Sequence, residues 1–273
     1  MRLSFFPPTV WPSPMSTKPR VCKTPEIEHV RKFVAYAKLR VNAATYYPPL
    51  NGYRYMVALA LYSKCLTVAE AIITLLDADF GDEAFGMTRT LVDIYITLRY
   101  IANKDTEERA RLYYRFIAKD IHGWNDIAKD YWPQLTRPMD PNIVSAASHY
   151  PNPHRWSGKS VKDMALEPDT FETDPKTGKA VIHDFHYRVV YRWTSHFVHP
   201  TIVALQNHVV QPGRDRFVVR GMREQEQTHF AVFNIACFVG LTMISFYRCM
   251  GDPQPDRVGT WSGALIAHLA RRH

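Results

Sequence analysis

The stretch FAVFNIACFVGLTMISFY, from Phe230 to Tyr247, carries no charged residue over a length that just spans a bilayer. Such a segment has two outcomes: it crosses a membrane, or it becomes the central helix of a bundle that covers it on every side. Asn234, Thr242 and Ser245 lie inside it, and three polar side chains spaced along one helix call for protein neighbours rather than lipid. No comparable second span is read in the sequence, so the expectation is a buried core helix, with membrane association the alternative.

The rest of the chain supplies the partners that such a helix needs. Pro25 with Glu26 opens a helix, since proline fits the first helical position and acids favour the first turn. YRYMVALALYSKCLTVAEAIITLLD, from Tyr53 to Asp77, is apolar nearly all round and reads as a central helix. DADFGD ends it, with Asp82 as the expected N-cap of the helix running on to Lys104. A long amphipathic helix follows, capped by Asp105 or Thr106 and stopped at Pro133. Between Pro133 and Lys179 prolines and turn residues dominate, apart from SVKDMALE, where Ser160 and Asp163 stand at capping-box spacing. Helical signals resume near His183, break at Pro200, continue in TIVALQNHVV, and give way to QPGRDRFVVRG, a basic loop or a short hairpin. The last long helix covers Arg223 to Met250, closed by Gly251 and Pro253. The architecture expected is an all-α bundle of seven or eight helices: an extended Pro-rich segment 1–24, one helical domain 25–250 and a basic tail 251–273.

Charge and cysteine usage narrow the setting. A net charge of +8 favours an anionic partner such as RNA, although the cations are spread along the chain and a solvated surface accounts for them equally. Cys22, Cys65, Cys237 and Cys249 form no CxxC pair, which fits free thiols in a reducing cytoplasm. No P-loop, GxGxxG, GxSxG, HExxH or EF-hand pattern is present. His183 with His186, and His196 with His199, stand three apart without a third ligand in motif spacing, so no metal and no cofactor is expected.

YRWTSHFVHP carries the chemistry of interest. With Arg192 at zero on a regular helix, His196 lies about 40° to one side, and Arg188, Ser195 and His199 complete an arc of about 100°. Val190, Trp193, Phe197 and Val198, together with Tyr187 and Tyr191, fill the remainder as an apolar flank. His199 precedes proline, so the helix is expected to end there, placing an imidazole beside freed carbonyls that favour its protonated form. One reading is a pair of proton-transfer and phosphate groups; the other is a helix-capping histidine and nothing more.

RWSGKSVKDMA from Arg155 and YRVVYRWTSHFVHP from Tyr187 together resemble the paired signature of an all-helical bacterial and phage family, domain of unknown function 5677. RTLVDIYITLRYI from Arg89 is similar to its upstream helix, with Asp93 where glutamate is commoner. That family looks related to HEPN-like bundles, whose active members share an Arg and a His separated by four to six residues; Arg192 and His199 fit with six. The resemblance implies a homodimer that cuts RNA without a metal, as a toxin or antiphage effector with an antitoxin or other protein partner. His199 and His196 would move protons, Arg192 and Arg188 would meet phosphate, and the product would be a 2′,3′-cyclic phosphate. Arg89 and Asp93 are expected either as a buried ion pair or as a pair that orients the stripe. Trp156 and Lys159 would cover the cleft as a stacking surface and a phosphate contact, unless the tryptophan plugs the core. The alternative function is a non-enzymatic module that binds RNA or protein.

Overall fold

The computed structural model describes residues 25–43, 52–136, 155–199, 209–213, 216–219 and 226–251, with a few single positions beside them. The elements are α1 (Pro25–Ala43), α2 (Tyr53–Asp77), α3 (Gly81–Asn103), α4 (Thr106–Tyr131) and α5 (Val161–Ala165). Then follow α6, a π-helical turn His186–Tyr191 continuing as α-helix Arg192–Val198, a hairpin of β1 (Val209–Gly213) and β2 (Arg216–Val219), and α7 (Glu226–Met250). The chain is an all-α bundle carrying one small hairpin, which pairs Val209 with Val219 and Gly213 with Arg216.

The uncharged stretch is the centre. α7 packs against both α3 and α2, α1 closes over α2 and α7, α4 lies on α2 and α3, and α5 and α6 lie on α3. Ile235, Ala236, Phe238, Val239 and Phe246 are buried, and Phe246 stacks on Tyr62 with ring centroids 4.9 Å apart. Its three polar residues are buried among helices as their types require. Asn234 donates to Thr88 Oγ1 at 3.1 Å, and Ser245 bonds back to the Leu241 carbonyl at 3.0 Å. Burial pushes the Cys65 thiol up to about 12. A second helix is in fact comparable: Tyr53–Asp77, like Gln227–Met250, is long and apolar enough to cross a membrane. In the bundle the two pack against each other.

Local signals set several boundaries. α1 starts at Pro25, and Gly251 takes φ 71° just past α7, a backbone angle that costs glycine least. Ser160 and Asp163 form the full capping box of α5. Elsewhere the helix starts differ in part from the expectation. Phe80 rather than Asp82 is the N-cap of α3, whereas Asp105 is the N-cap of α4 as expected, in a left-handed conformation and without a side-chain cap bond. α2 lacks a capping side chain of its own, and the Glu107 carboxylate of α4 accepts from Tyr53 N at 2.7 Å and Arg54 N at 3.2 Å instead. Val209 and Val210 lie in β1 rather than in the helix expected for TIVALQNHVV, whose residues 202–208 lie outside the described residues. Segment 1–24 and most of the tail 251–273 also lie outside them.

Candidate functional site

α6 reaches the core through aromatic rings. Trp193 and Phe197 meet Phe85 of α3 edge-on at 5.3 and 5.0 Å, and Trp193 meets Phe230 of α7 at 4.9 Å. Val198, expected on that apolar flank, is exposed instead. The approach to α3 is close because Gly86 stands opposite Phe197: a Cβ added there would lie 3.2 Å from Phe197 Cβ and 3.3 Å from its carbonyl. Thr194, fully buried, turns its hydroxyl back to the Val190 carbonyl at 2.8 Å.

On the outer side the stripe divides. Arg188, in the π turn, pairs with Asp184 at 3.0 Å. Arg192, His196 and His199 are exposed. His199 ends the helix as expected, with φ −106° and ψ 147°, its N–H still donating to Ser195 O at 3.2 Å. One helical turn beyond Gly86, Arg89 then reaches across from α3. Its Nη2 donates to the Tyr191 hydroxyl at 2.8 Å, its Nη1 lies 3.1 Å from His199 Nε2, and its guanidinium sits 4.7 Å from the Tyr191 ring centre. A guanidinium has no acceptor, so His199 Nε2 accepts and Nδ1 carries the proton. Tyr191 is itself stacked on Tyr187, with centroids 5.0 Å apart.

Asp93 lies one turn along α3 from Arg89, but among the described residues no ion pair forms between them. Burial pushes its carboxyl up to about 6, and the Arg89 charge offsets only part of that rise. The folded protein therefore holds this proton more tightly than the unfolded chain, where aspartate titrates near about 3.9. The contribution of Asp93 to stability falls as pH climbs from about 4 to about 6 and is level above. Asp93→Asn is expected to raise stability by roughly 1–3 kcal/mol at pH 7.5 and to change little at pH 3.5, measured by urea unfolding; an equal effect at both pH values contradicts the assignment.

Trp156 and Lys159 do not join this group. Trp156 plugs the far end of α3, edge-on to Tyr100 at 5.7 Å and Tyr113 at 5.1 Å, and Lys159 pairs with Glu167 at 3.0 Å. Tyr100 is eleven residues from Arg89, about 16 Å along the helix. That end holds a buried polar network. Arg109 clasps Glu167 with both terminal nitrogens, at 2.7 and 3.1 Å, and Asn103 adds a bond at 2.9 Å. Burial alone would raise Glu167, but the bonds from Arg109, Asn103 and Lys159 bring it down to about 2. Arg99, also buried, donates to the carbonyls of Met164, Ala165 and Glu167 and so holds the end of α5.

Asp169, Glu172 and His183 bring three ligand atoms within 4.8 Å of one another. Arg248 donates to Asp169 at 3.1 Å and Arg99 stands 3.6 Å away, so two guanidiniums already match the two carboxylates. A cation added there would meet like charge, and the cluster reads as an ion-pair network. His183 is raised, burial being outweighed by its bonds to Asp169 and Glu172. His186, the other half of the expected metal pair, packs edge-on to Tyr95 and Phe238, and burial lowers it to about 4.

Sequence reading thus found Arg89, Arg192 and His199 and missed Tyr191, which spacing assigned to the apolar flank. Its signal is the hydroxyl, which needs a polar partner when half buried, but that partner lies 102 residues upstream. The model of a family of unknown function, DUF5677, matches residues 55–216, more than half of the chain. No curated protein and no solved structure matches.

Proposed function

From the premise that the chain belongs to the DUF5677 family, whose description carries no activity, we propose that it is a metal-independent ribonuclease of HEPN-like kind. The observation that supports this reading is the Arg89 guanidinium shared between the Tyr191 hydroxyl and His199 Nε2, with Arg192 exposed on the same helix as both. Arg89 also keeps a buried Nε–H without an acceptor among the described residues. Three polar groups on two helices thus converge where an anion would be welcome.

In the free protein the lone pair of His199 Nε2 is engaged by Arg89. A phosphodiester competes for that donor, and hydrogen bonds between charged groups are roughly twice as strong as those to a neutral acceptor. Substrate binding then moves Arg89 onto phosphate and frees Nε2 as a base beside the 2′-hydroxyl. His199 removes the 2′ proton, the 2′ oxygen forms its bond to phosphorus, and the bond to the 5′ oxygen breaks. His196 is the candidate for returning a proton to that leaving oxygen. Arg192, with Arg89, balances the charge added at phosphorus. The products are a 2′,3′-cyclic phosphate and a 5′-hydroxyl. A toxin or antiphage role, a homodimer, an antitoxin partner and a cytoplasmic location belong to the same proposal.

The test is cleavage of labelled RNA in excess chelator. Wild type is expected to cut, and His199→Ala and Arg192→Ala to cut at least about 100-fold more slowly. Equal rates in all three reject these residues. The occupied lone pair of His199 favours one second reading, a module that binds RNA or protein without cutting, and RNA retarded in a gel but left intact by the wild type would establish it.

A further inference from the structure

The two terminal nitrogens of Arg89 are both engaged, and by different residues of α6. Nη2 donates to the Tyr191 hydroxyl at 2.8 Å, while Nη1 lies 3.1 Å from His199 Nε2. A guanidinium presents these donors as a fork that matches two oxygens of one phosphate. In the free protein one neutral acceptor fills each prong. A phosphate that takes the fork displaces both acceptors, and both stay beside the oxygens that replaced them.

The displaced groups differ in what they can do next. His199 Nε2 offers a lone pair and accepts, whereas a hydroxyl both accepts and donates. The Tyr191 oxygen accepts from Arg89, and among the described residues its own proton is given to no acceptor. A phosphate oxygen arriving at that prong supplies one. The ring is held in place for the exchange, since Tyr187 stacks on it with centroids 5.0 Å apart and planes 20° from parallel, and Ser195 Oγ donates to the Tyr191 carbonyl at 2.6 Å. These contacts remain when Arg89 turns to phosphate, so the hydroxyl is a donor already aimed. We propose that Tyr191 is a catalytic residue of the cleavage, its hydroxyl donating to a non-bridging oxygen of the scissile phosphate while Arg89 holds that phosphate in its fork. This role rests on the nuclease reading and adds a donor to it. No proton changes hands at Tyr191: the hydrogen bond strengthens as the phosphate gains charge, and the transfers stay with His199 and His196.

Tyr191→Phe deletes the hydroxyl and keeps the ring, so its circular dichroism is expected to match wild type. With RNA in excess chelator its kcat is expected to fall about 100-fold while KM changes less than about threefold, because a donor to developing charge is felt in the transition state. A misplaced Arg89 would slow cleavage too, and sulfur separates the two causes. RNA with one phosphorothioate at the cleaved bond is assayed as its two separated diastereomers, since sulfur is the weaker acceptor. For one diastereomer the slowing is expected to be about tenfold or more in wild type and less than about threefold in Tyr191→Phe, the interaction having already been removed. Cleavage by Tyr191→Phe at the wild-type rate, or equal sulfur effects in wild type and variant for both diastereomers, overturns the role of Tyr191 and leaves the nuclease reading standing. A wild type that cuts no RNA overturns the nuclease reading itself, and this role with it.

Discussion

Arg109→Met is expected to destabilise the protein by roughly 3–5 kcal/mol, the usual cost of removing one member of a buried ion pair. The loss is large because of what remains. Glu167 stays buried, keeps only Lys159 and Asn103, and loses the two-pronged contact that holds its carboxyl down at about 2. Arg109 also donates to the Tyr100 carbonyl and covers the Tyr100 ring at 3.7 Å, so packing goes with charge. Chemical denaturation of the single variants and of Arg109→Met with Glu167→Gln tests the account. The double variant is expected to lose clearly less than the sum, since each change removes the other's unpaired partner. Additive losses, or an Arg109→Met cost below about 1 kcal/mol, mean that the pair is not the one holding residues 155–183 to α3 and α4.

The second large effect is expected at a position with no chemistry of its own. Gly86→Val drives methyl groups into Phe197, whose backbone already limits the approach, at a cost of roughly 1–3 kcal/mol. α6 must move outward, and it carries Tyr191 and His199 away from Arg89. A displacement near 1 Å at a reacting group costs about 100-fold in rate, so under the proposed nuclease function RNA cleavage is expected to fall far more than stability does. Gly86→Ala is the graded control, because its single methyl asks Phe197 to yield only a few tenths of an ångström. Cleavage that survives Gly86→Val at full rate separates the Arg89 contact from catalysis.

Sequence reading succeeded where a few adjacent residues decide the outcome. Pro25, the Ser160–Asp163 box, the break before Pro200 and the uncharged stretch of α7 each act within a turn or two, and each appears where the local rule puts it. It failed where the deciding contact is distant. Asp93 looked like the partner of Arg89 because they stand four apart on one helix, but Arg89 bonds side chains 102 and 110 residues away. Trp156 left two readings open, a stacking surface or a plug of the core, and its contacts with Tyr100 and Tyr113, both far along the chain, decide for the plug.

The borrowed carboxylate of Glu107 bears on how the bundle comes together. α2, one of the two most apolar helices, cannot satisfy its first amide groups by itself and waits for a side chain 54 residues further on. Its opening turn therefore gains its bonds only when α4 docks, which makes the central rod a late product of assembly at one end and leaves the earliest helical contacts to its middle.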